Sequence, residues 1–231
     1  MSGYQQFSLA QLVTLFYEQV GGNTRFFRND EAVRILQEAF RVFNCLTGFW
    51  RDRVAMPATV AGQHWYTVPA GLTYILRVEV NEQTCQASSL YDLDYGQPNW
   101  ENETCPNDGS VPSVFACAGV NLFALWPASF VGGESLVVEG VTPAPLLTNI
   151  GNVNLGQDEL EMILDEAGHI AQFKEGGQEF EASQQTHKEF LKECGARNAV
   201  LMQSSKFRKY MGLTDEKKRP MRSANERVGA R

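Results

Sequence analysis

The 231-residue chain has no stretch approaching the roughly 18 uninterrupted apolar residues that a membrane-spanning helix needs. Its N-terminus (MSGYQQFSLAQ) also lacks the basic and apolar regions of a secretory signal. These absences predict a soluble, unexported chain with no membrane partner. Cysteine is sparse and odd in number: Cys45, Cys85, Cys105, Cys117 and Cys194 include no CxxC pair. The three histidines, His64, His169 and His187, do not lie near them at zinc-ligand spacing. Structural zinc is therefore disfavoured and free thiols of a reducing cytoplasm are the simplest reading. A Cys105–Cys117 pair across a hairpin is left open. The Gly132-Gly133 and Gly176-Gly177 doublets match neither the Walker nor the dinucleotide fingerprint, and no G-x-S-x-G elbow occurs. No cofactor, metal or catalytic residue is predicted.

What the chain does contain is an ordinary globular composition, 43% apolar and 20% charged, with 27 Asp+Glu against 20 Lys+Arg for a net charge of -7. That length can bury a core without covalent staples. The charge is uneven. Residues 205–231 hold nine Lys/Arg and three Asp/Glu, a net of +6, so residues 1–204 carry -13. The chain is an acidic body with a basic tail.

Helical signals stand at both ends. Ser8 and Gln11 form a capping box ahead of Leu9, Leu12, Val13, Phe16 and Val20, and Gly21-Gly22 stops that helix. Asn29 or Asp30 caps a second helix carrying Ala32, Ile35, Leu36, Ala39, Val42, Phe43 and Leu46, which runs to Gly48. Near the other end, Asp158 and Glu161 read as another capping box, with Leu160, Ile163, Leu164, Ala167 and Ala171 on one face before Gly176-Gly177. A longer helix follows with Phe180, Ser183, His187, Phe190, Leu191, Cys194 and Leu201 on one stripe. Between the pairs, Gly and Pro recur and short β-branched and aromatic runs predict strands at 53–56, 64–68, 74–80, 114–118, 122–126 and 135–139. The alternation Leu76-Arg77-Val78-Glu79-Val80 predicts a sheet with one wet face. Residues 96–110 (GQPNWENETCPNDGS) predict a long exposed loop, with Trp100 exposed for a partner.

The fold class that follows is α+β: an antiparallel bundle of about four helices, two N-terminal and two C-terminal, with an inserted antiparallel β domain, sandwich or barrel-like. The predicted domains are residues 1–50 with 151–204, residues 51–150, and an extended basic arm at 205–231. The arm has few apolar residues and a high charge density, too little to offset the entropy of folding alone.

Candidate chemistry is thin. Asp158, Glu159, Glu161, Asp165 and Glu166 crowd the first turns of the third helix, which suits either an acid/base or cation site or plain complementation of a helix N-terminus. The histidines lack a nucleophile and an orienting acid in sequence. Trp50, Trp65, Tyr66, Tyr74, Trp100 and Trp126 could stack sugars or bases, or fill a core. In the arm, Lys206, Arg208, Lys209, Lys217, Lys218, Arg219, Arg222, Arg227 and Arg231 could meet nucleic-acid phosphates. They could equally dock on an acidic protein surface, with Phe207, Tyr210, Met211, Leu213 and Met221 as apolar anchors.

The order of elements resembles the head-to-tail connector (adaptor) proteins of tailed bacteriophages, the group of the podophage tail accessory factor and tubular tail protein A. The resemblance runs over residues 5–210. It begins with a helix pair ending at Leu46-Thr47-Gly48-Phe49-Trp50, followed by Trp65-Tyr66-Thr67-Val68-Pro69 and the strand Leu76 to Val80. The element Ser89-Leu90-Tyr91-Asp92-Leu93-Asp94, the strand Leu122-Phe123-Ala124-Leu125-Trp126-Pro127 and Pro143-Ala144-Pro145-Leu146 follow, before the second helix pair. Residues 96–110 depart from the pattern. The resemblance implies a structural virion protein that assembles in the host cytoplasm as a ring of about twelve copies. That ring would sit in the neck, with the portal protein above, a tail tube or nozzle protein below, and genomic DNA passing through the channel without specific binding. Portal binding would fall to Lys206, Arg208, Lys209, Tyr210, Met211, Leu213, Lys217, Lys218, Arg219, Arg222, Arg227 and Arg231. The alternatives are a virion-associated peptidoglycan hydrolase using carboxylates such as Glu159 and Glu161, and a nucleic-acid-binding module acting through the tail.

Overall fold

In the computed structural model, residues 4–22, 26–148 and 151–198 are described. The arm at 205–231, with every residue assigned above to portal binding, lies outside them, as does Leu201. The elements in order are β1 (Gln5–Ser8), α1 (Leu9–Gln19), α2 (Asn29–Thr47), β2 (Arg51–Met56), β3 (Trp65–Thr67), β4 (Tyr74–Val80), β5 (Gln83–Thr84), β6 (Gln86–Ser88) and α3 (Leu90–Gly96). After a 3-10 turn at Trp100–Asn102 come β7 (Val114–Ala118), β8 (Leu122–Trp126), β9 (Leu136–Val141), β10 (Asn152–Leu155), α4 (Gln157–Glu175) and α5 (Gly177–Arg197). The protein is α+β. It divides into two compact units, Met1–Thr47 with Leu146–Arg231, and Gly48–Pro145.

In the first unit α1 packs on α2 and α4, and α4 and α5 pack on each other and on α2. The reciprocal capping box forms as the sequence predicts: the Ser8 Oγ accepts from Gln11 N, and Gln11 Oε1 accepts from Ser8 N at 2.8 Å. Leu12 and Phe16 of α1 and Leu36, Phe40 and Phe43 of α2 are fully buried. Each such side chain stabilises the unit by about 1.5–3 kcal/mol over leaving it exposed. Gly48, at φ +60, follows the last turn of α2 in the left-handed position where glycine carries no steric cost. The returning chain is tied to α2 by Leu147 N, which donates to Gln37 Oε1 at 2.9 Å. The end of α5 is tied by Asn198 Nδ2, which donates to Leu46 O at 2.7 Å.

Two features of this unit differ from the sequence expectation. A two-stranded antiparallel sheet pairs β1 with β10, so α1 and α4 are each entered from a paired strand too short to announce itself by periodicity. The capping box at Asp158 and Glu161 does not form. The helix begins two residues earlier, with Gly156 as N-cap and no side-chain cap. Arg197 of α5 instead lies 3.2 Å from Glu159 and 3.8 Å from Asp158.

The second unit holds two four-stranded sheets, ordered β2-β9-β4-β5 and β3-β8-β7-β6. The pairings are antiparallel except β6 with β7, which is parallel. That is a correction to a purely antiparallel domain: α3 and the following loop separate the two strands, so they are not a hairpin. One core cluster draws on both sheets, with Val78, Val80, Leu136 and Val138 from the first and Tyr66, Phe115, Phe123 and Leu125 from the second. The simple alternation expected at 76–80 is broken by a register shift between Ile75 and Arg77. Ile75, Val78 and Val80 are buried while Leu76 is 38% exposed, because the bulge inserts a residue and reverses the facing before it.

The loop at 96–110 is the largest departure. Most of its residues are exposed, but Trp100 is only 4% and Cys105 2% exposed. Trp100 packs with Leu93 of α3 against Ala116 and Ala124, on a second cluster edged by Trp65, Val114 and Trp126. Acidic residues of α3 and of the segment act as acceptors for indoles. Trp100 Nε1 donates to Asp94 at 2.8 Å, Trp65 Nε1 to Glu101 at 3.2 Å and Trp126 Nε1 to Glu103 at 2.9 Å. All five cysteines are free, with Cys105 buried and Cys117 exposed, so no disulfide joins them.

Candidate functional site

Between α4 and α5 a set of titratable side chains meets. The i,i+3 spacing of Glu166 and His169 puts both on one face of α4, and Ser183 and His187, four apart on α5, meet them. His187 Nδ1 lies 2.8 Å from Glu166 Oε2, and His169 Nδ1 lies 2.8 Å from Ser183 Oγ. The two imidazoles stack with centroids 4.5 Å apart and planes 20° apart, and Phe180 stacks on the outer face of His169 at 5.2 Å. Glu166 is 3% exposed. Burial, and then the neighbouring His187, holds the His169 imidazole below its ordinary value against the opposing pull of Glu166.

This constellation has the residue types of a nucleophilic relay but not the wiring. Ser183 Oγ is also 2.8 Å from Phe180 O, and when its one proton goes to that carbonyl it accepts from His169 Nδ1. A general base needs a free lone pair at that position. The cluster therefore works as a polar clasp between helices. Its neighbour Cys194 is fully buried, and burial followed by Glu166 pushes its thiol up to about 12, which leaves it unreactive at neutral pH. Sequence reading named both histidines but missed the clasp. The i,i+3 and i,i+4 spacings on adjacent amphipathic helices were the available signal.

Toward the end of the same helix pair, Asp158, Glu161, Met162, Asp165, Glu193, Ala196 and Arg197 line an open cleft of about 330 Å³. Burial, reinforced by Glu193, Glu161 and Glu189, raises the Asp165 carboxyl above its ordinary value, and the hydrogen bond from Gln19 Nε2 at 3.0 Å partly offsets this. The carboxylates named for a hydrolase have other partners: Glu159 pairs with Arg197, and Glu161 accepts from Gln157 Nε2 at 2.8 Å. Among the described residues no group of three or more His, Cys, Asp or Glu is arranged to hold a metal ion. No helix among them is long and apolar enough to cross a membrane.

The other sequence candidates separate. His64 is buried, with its Nδ1 at 3.1 Å from Leu125 O and its ring edge-on to Trp100. Tyr66 stacks on Phe123 in the core. Trp100 is no exposed contact residue, because it fills the outer cluster of the second sheet. The exposed aromatic pair is one that sequence reading did not single out: Tyr91 and Tyr95 of α3, 73% and 80% exposed and stacked nearly parallel at 6.1 Å.

No protein-family model matches the chain, and no curated protein matches it.

Proposed function

We propose that this chain is a structural subunit, a head-to-tail connector of a tailed bacteriophage that docks under the portal and joins capsid to tail. The observation that carries the reading is the interrupted architecture: helices from both ends of the chain form one unit, and a β unit of two sheets occupies the middle. That order is the one on which the resemblance rests. In this reading α1, α2, α4 and α5 are an antiparallel bundle, the two sheets are a sandwich, and copies associate into a ring. The basic segment 205–231 reaches the portal, pairing Lys206, Arg208, Lys209, Lys217, Lys218, Arg219, Arg222, Arg227 and Arg231 with acidic groups while Tyr210, Met211 and Leu213 anchor it.

The acidic remainder suits a channel wall, since like charge opposes adhesion of passing DNA. The wiring of the histidine clasp and the engaged Glu159 and Glu161 favour a structural role over hydrolysis. Mixing the purified protein with portal rings tests the proposal. Ring-sized complexes are expected with the full chain, and binding is expected to fail when residues 205–231 are deleted. Undiminished docking of the shortened chain overturns the assignment of the arm. Failure of the full chain to bind any portal overturns the connector reading.

A further inference from the structure

Two surfaces of this chain stand out because they are apolar and poor in charge. The first is a tip of the β unit, built from the segment between β2 and β3 and the segment between β8 and β9. Residues 57–63 and 126–133 contain no Asp, Glu, Lys or Arg. Val60, Phe130 and Val131 project from it, 54%, 46% and 71% exposed. The segments are stapled together beneath these side chains. Thr59 N donates to Glu134 O at 2.9 Å, Gly133 N to Thr59 O at 2.8 Å and Gly62 N to Ser129 O at 2.8 Å. The Glu134 carboxylate accepts from both Ser129 and Thr59 hydroxyls, and Gly132 N donates to Ser129 Oγ at 2.7 Å. Gly132 sits at φ +79 with Ala61 N only 2.7 Å from where a Cβ would be, so the two segments touch backbone to backbone. The tip is a preorganised apolar knob, with little ordering entropy left to lose on binding.

The second surface is the outward side of α1, where Phe7, Ala10, Gln11, Thr14 and Leu15 line an apolar cleft of about 390 Å³. Residues 4–17 contain no charged side chain. The polar groups facing it are spent locally: Gln11 Oε1 accepts from Ser8 N, and Thr14 Oγ1 donates to Ala10 O at 2.9 Å. Covering this cleft leaves the bonds of Ser8 N, Gln11 Oε1 and Thr14 Oγ1 intact, so the penalty for burying those polar atoms is small.

We infer that these surfaces bind each other between copies, the tip of the β unit of one copy seating in the α1 cleft of the next. Charge selects the occupant. Residues 1–204 carry -13, so like charge opposes contact between the acidic parts of two copies within the roughly 8 Å screening length of physiological salt. Contact costs least where neither face brings like charge to the other: the cleft has no charged side chain, and the one carboxylate of the tip, Glu134, is engaged by the Ser129 and Thr59 hydroxyls. A bilayer is a poorer occupant for the tip, because no basic residue lies in the two segments to meet anionic headgroups. The contact joins unlike surfaces, so a single contact leaves one tip and one cleft free, and these either meet each other in a closed pair or ring or recruit further copies. The inference needs no portal, and its failure and the failure of the connector reading are separate outcomes.

The test uses the full chain, its Val131→Asp variant and its Thr14→Glu variant, measured by sedimentation velocity and native mass. Both positions are exposed, and circular dichroism checks that each variant is folded. The parent is expected to associate with rising concentration, and each variant alone to weaken that association by about tenfold or more, because a charge would be desolvated at the contact. Val131→Ile should restore parental behaviour. An equimolar mixture of the two charged variants should form a pair of copies and nothing larger, since only the intact tip of Thr14→Glu and the intact cleft of Val131→Asp can meet. A parent that stays monomeric at its highest soluble concentration overturns the inference, as does parental association of either charged variant or a mixture that remains monomeric.

Discussion

The sheet β2-β9-β4-β5 leaves the face opposite its core to water and places there one buried carboxylate, Glu79, between Arg53 and Arg77. The sheet β3-β8-β7-β6 covers its corresponding face with α3 and the 96–110 segment, burying Trp100 on Ala116 and Ala124. The first arrangement needs alternating polar and apolar residues, and β4 has them from Arg77 to Val80, after its bulge. The second makes a strand apolar on both sides, as in Leu122-Phe123-Ala124-Leu125-Trp126, where Phe123, Ala124 and Leu125 are all fully buried. An antiparallel strand that does not alternate requires a cover, and here the cover is a polar loop whose acids accept from the three indoles.

If that contrast is right, the largest loss should come from uncovering the second sheet. Trp100→Ala is expected to cost about 3–5 kcal/mol in denaturant unfolding; a loss below 1 kcal/mol would mean the segment is an ornament on the sheet. Glu134 joins the two crossovers between the sheets, and Glu134→Ala should cost about 1–3 kcal/mol by leaving the Thr59 and Ser129 hydroxyls buried without their acceptor. Burial works to raise the Glu134 carboxyl, but the Ser129 and Thr59 hydrogen bonds outweigh it and hold it below the ordinary 4.5. Its contribution is therefore complete above that value and lost as pH falls through the lower folded value. Urea midpoints between pH 6 and pH 3 should fall less steeply for Glu134→Gln than for the parent.

On the uncovered sheet, Glu79→Gln should cost less than about 1 kcal/mol, since the Arg53 and Arg77 side chains are 58% and 47% exposed and water screens the pairs. A double-mutant cycle with Arg53→Met reads the coupling. The smallest effect is a pH trend in the helical unit. His169 is held below 6.5 in the folded protein, so the unfolded chain takes up that proton first as pH falls. Stability should decline below about pH 6.5, and His169→Gln should flatten the decline in melting temperature between pH 7.5 and 5.

Where periodicity was long or chemistry local, the residues announced their structure. The capping box at Ser8 and Gln11 needs only neighbours three apart, and α2 has five turns of three-and-four spacing, so both helices were legible. Strands 74–80, 114–118 and 122–126 were legible because β-branched and aromatic runs between turn signals leave few alternatives. The parallel β6–β7 pair and the short strands β1 and β10 were not, because each is stabilised by partners far away in sequence; the helix α3 was missed although Ser89 caps it locally through Asp92 N. The site behaved the same way: both histidines were visible on a helical stripe, but their pairing with Glu166 and Ser183 depends on how α4 and α5 meet.

The amino-acid sequence by itself determined the helical ends, the β-rich middle and the unequal charge, because these follow from local propensity and composition. Only the tertiary structure decided which way Trp100 points, that the acids at 94, 101 and 103 serve indoles, and that two apolar surfaces are exposed among the described residues of an acidic chain. Those outcomes depend on which distant segments come together, and burial belongs to the assembled neighbours of a residue.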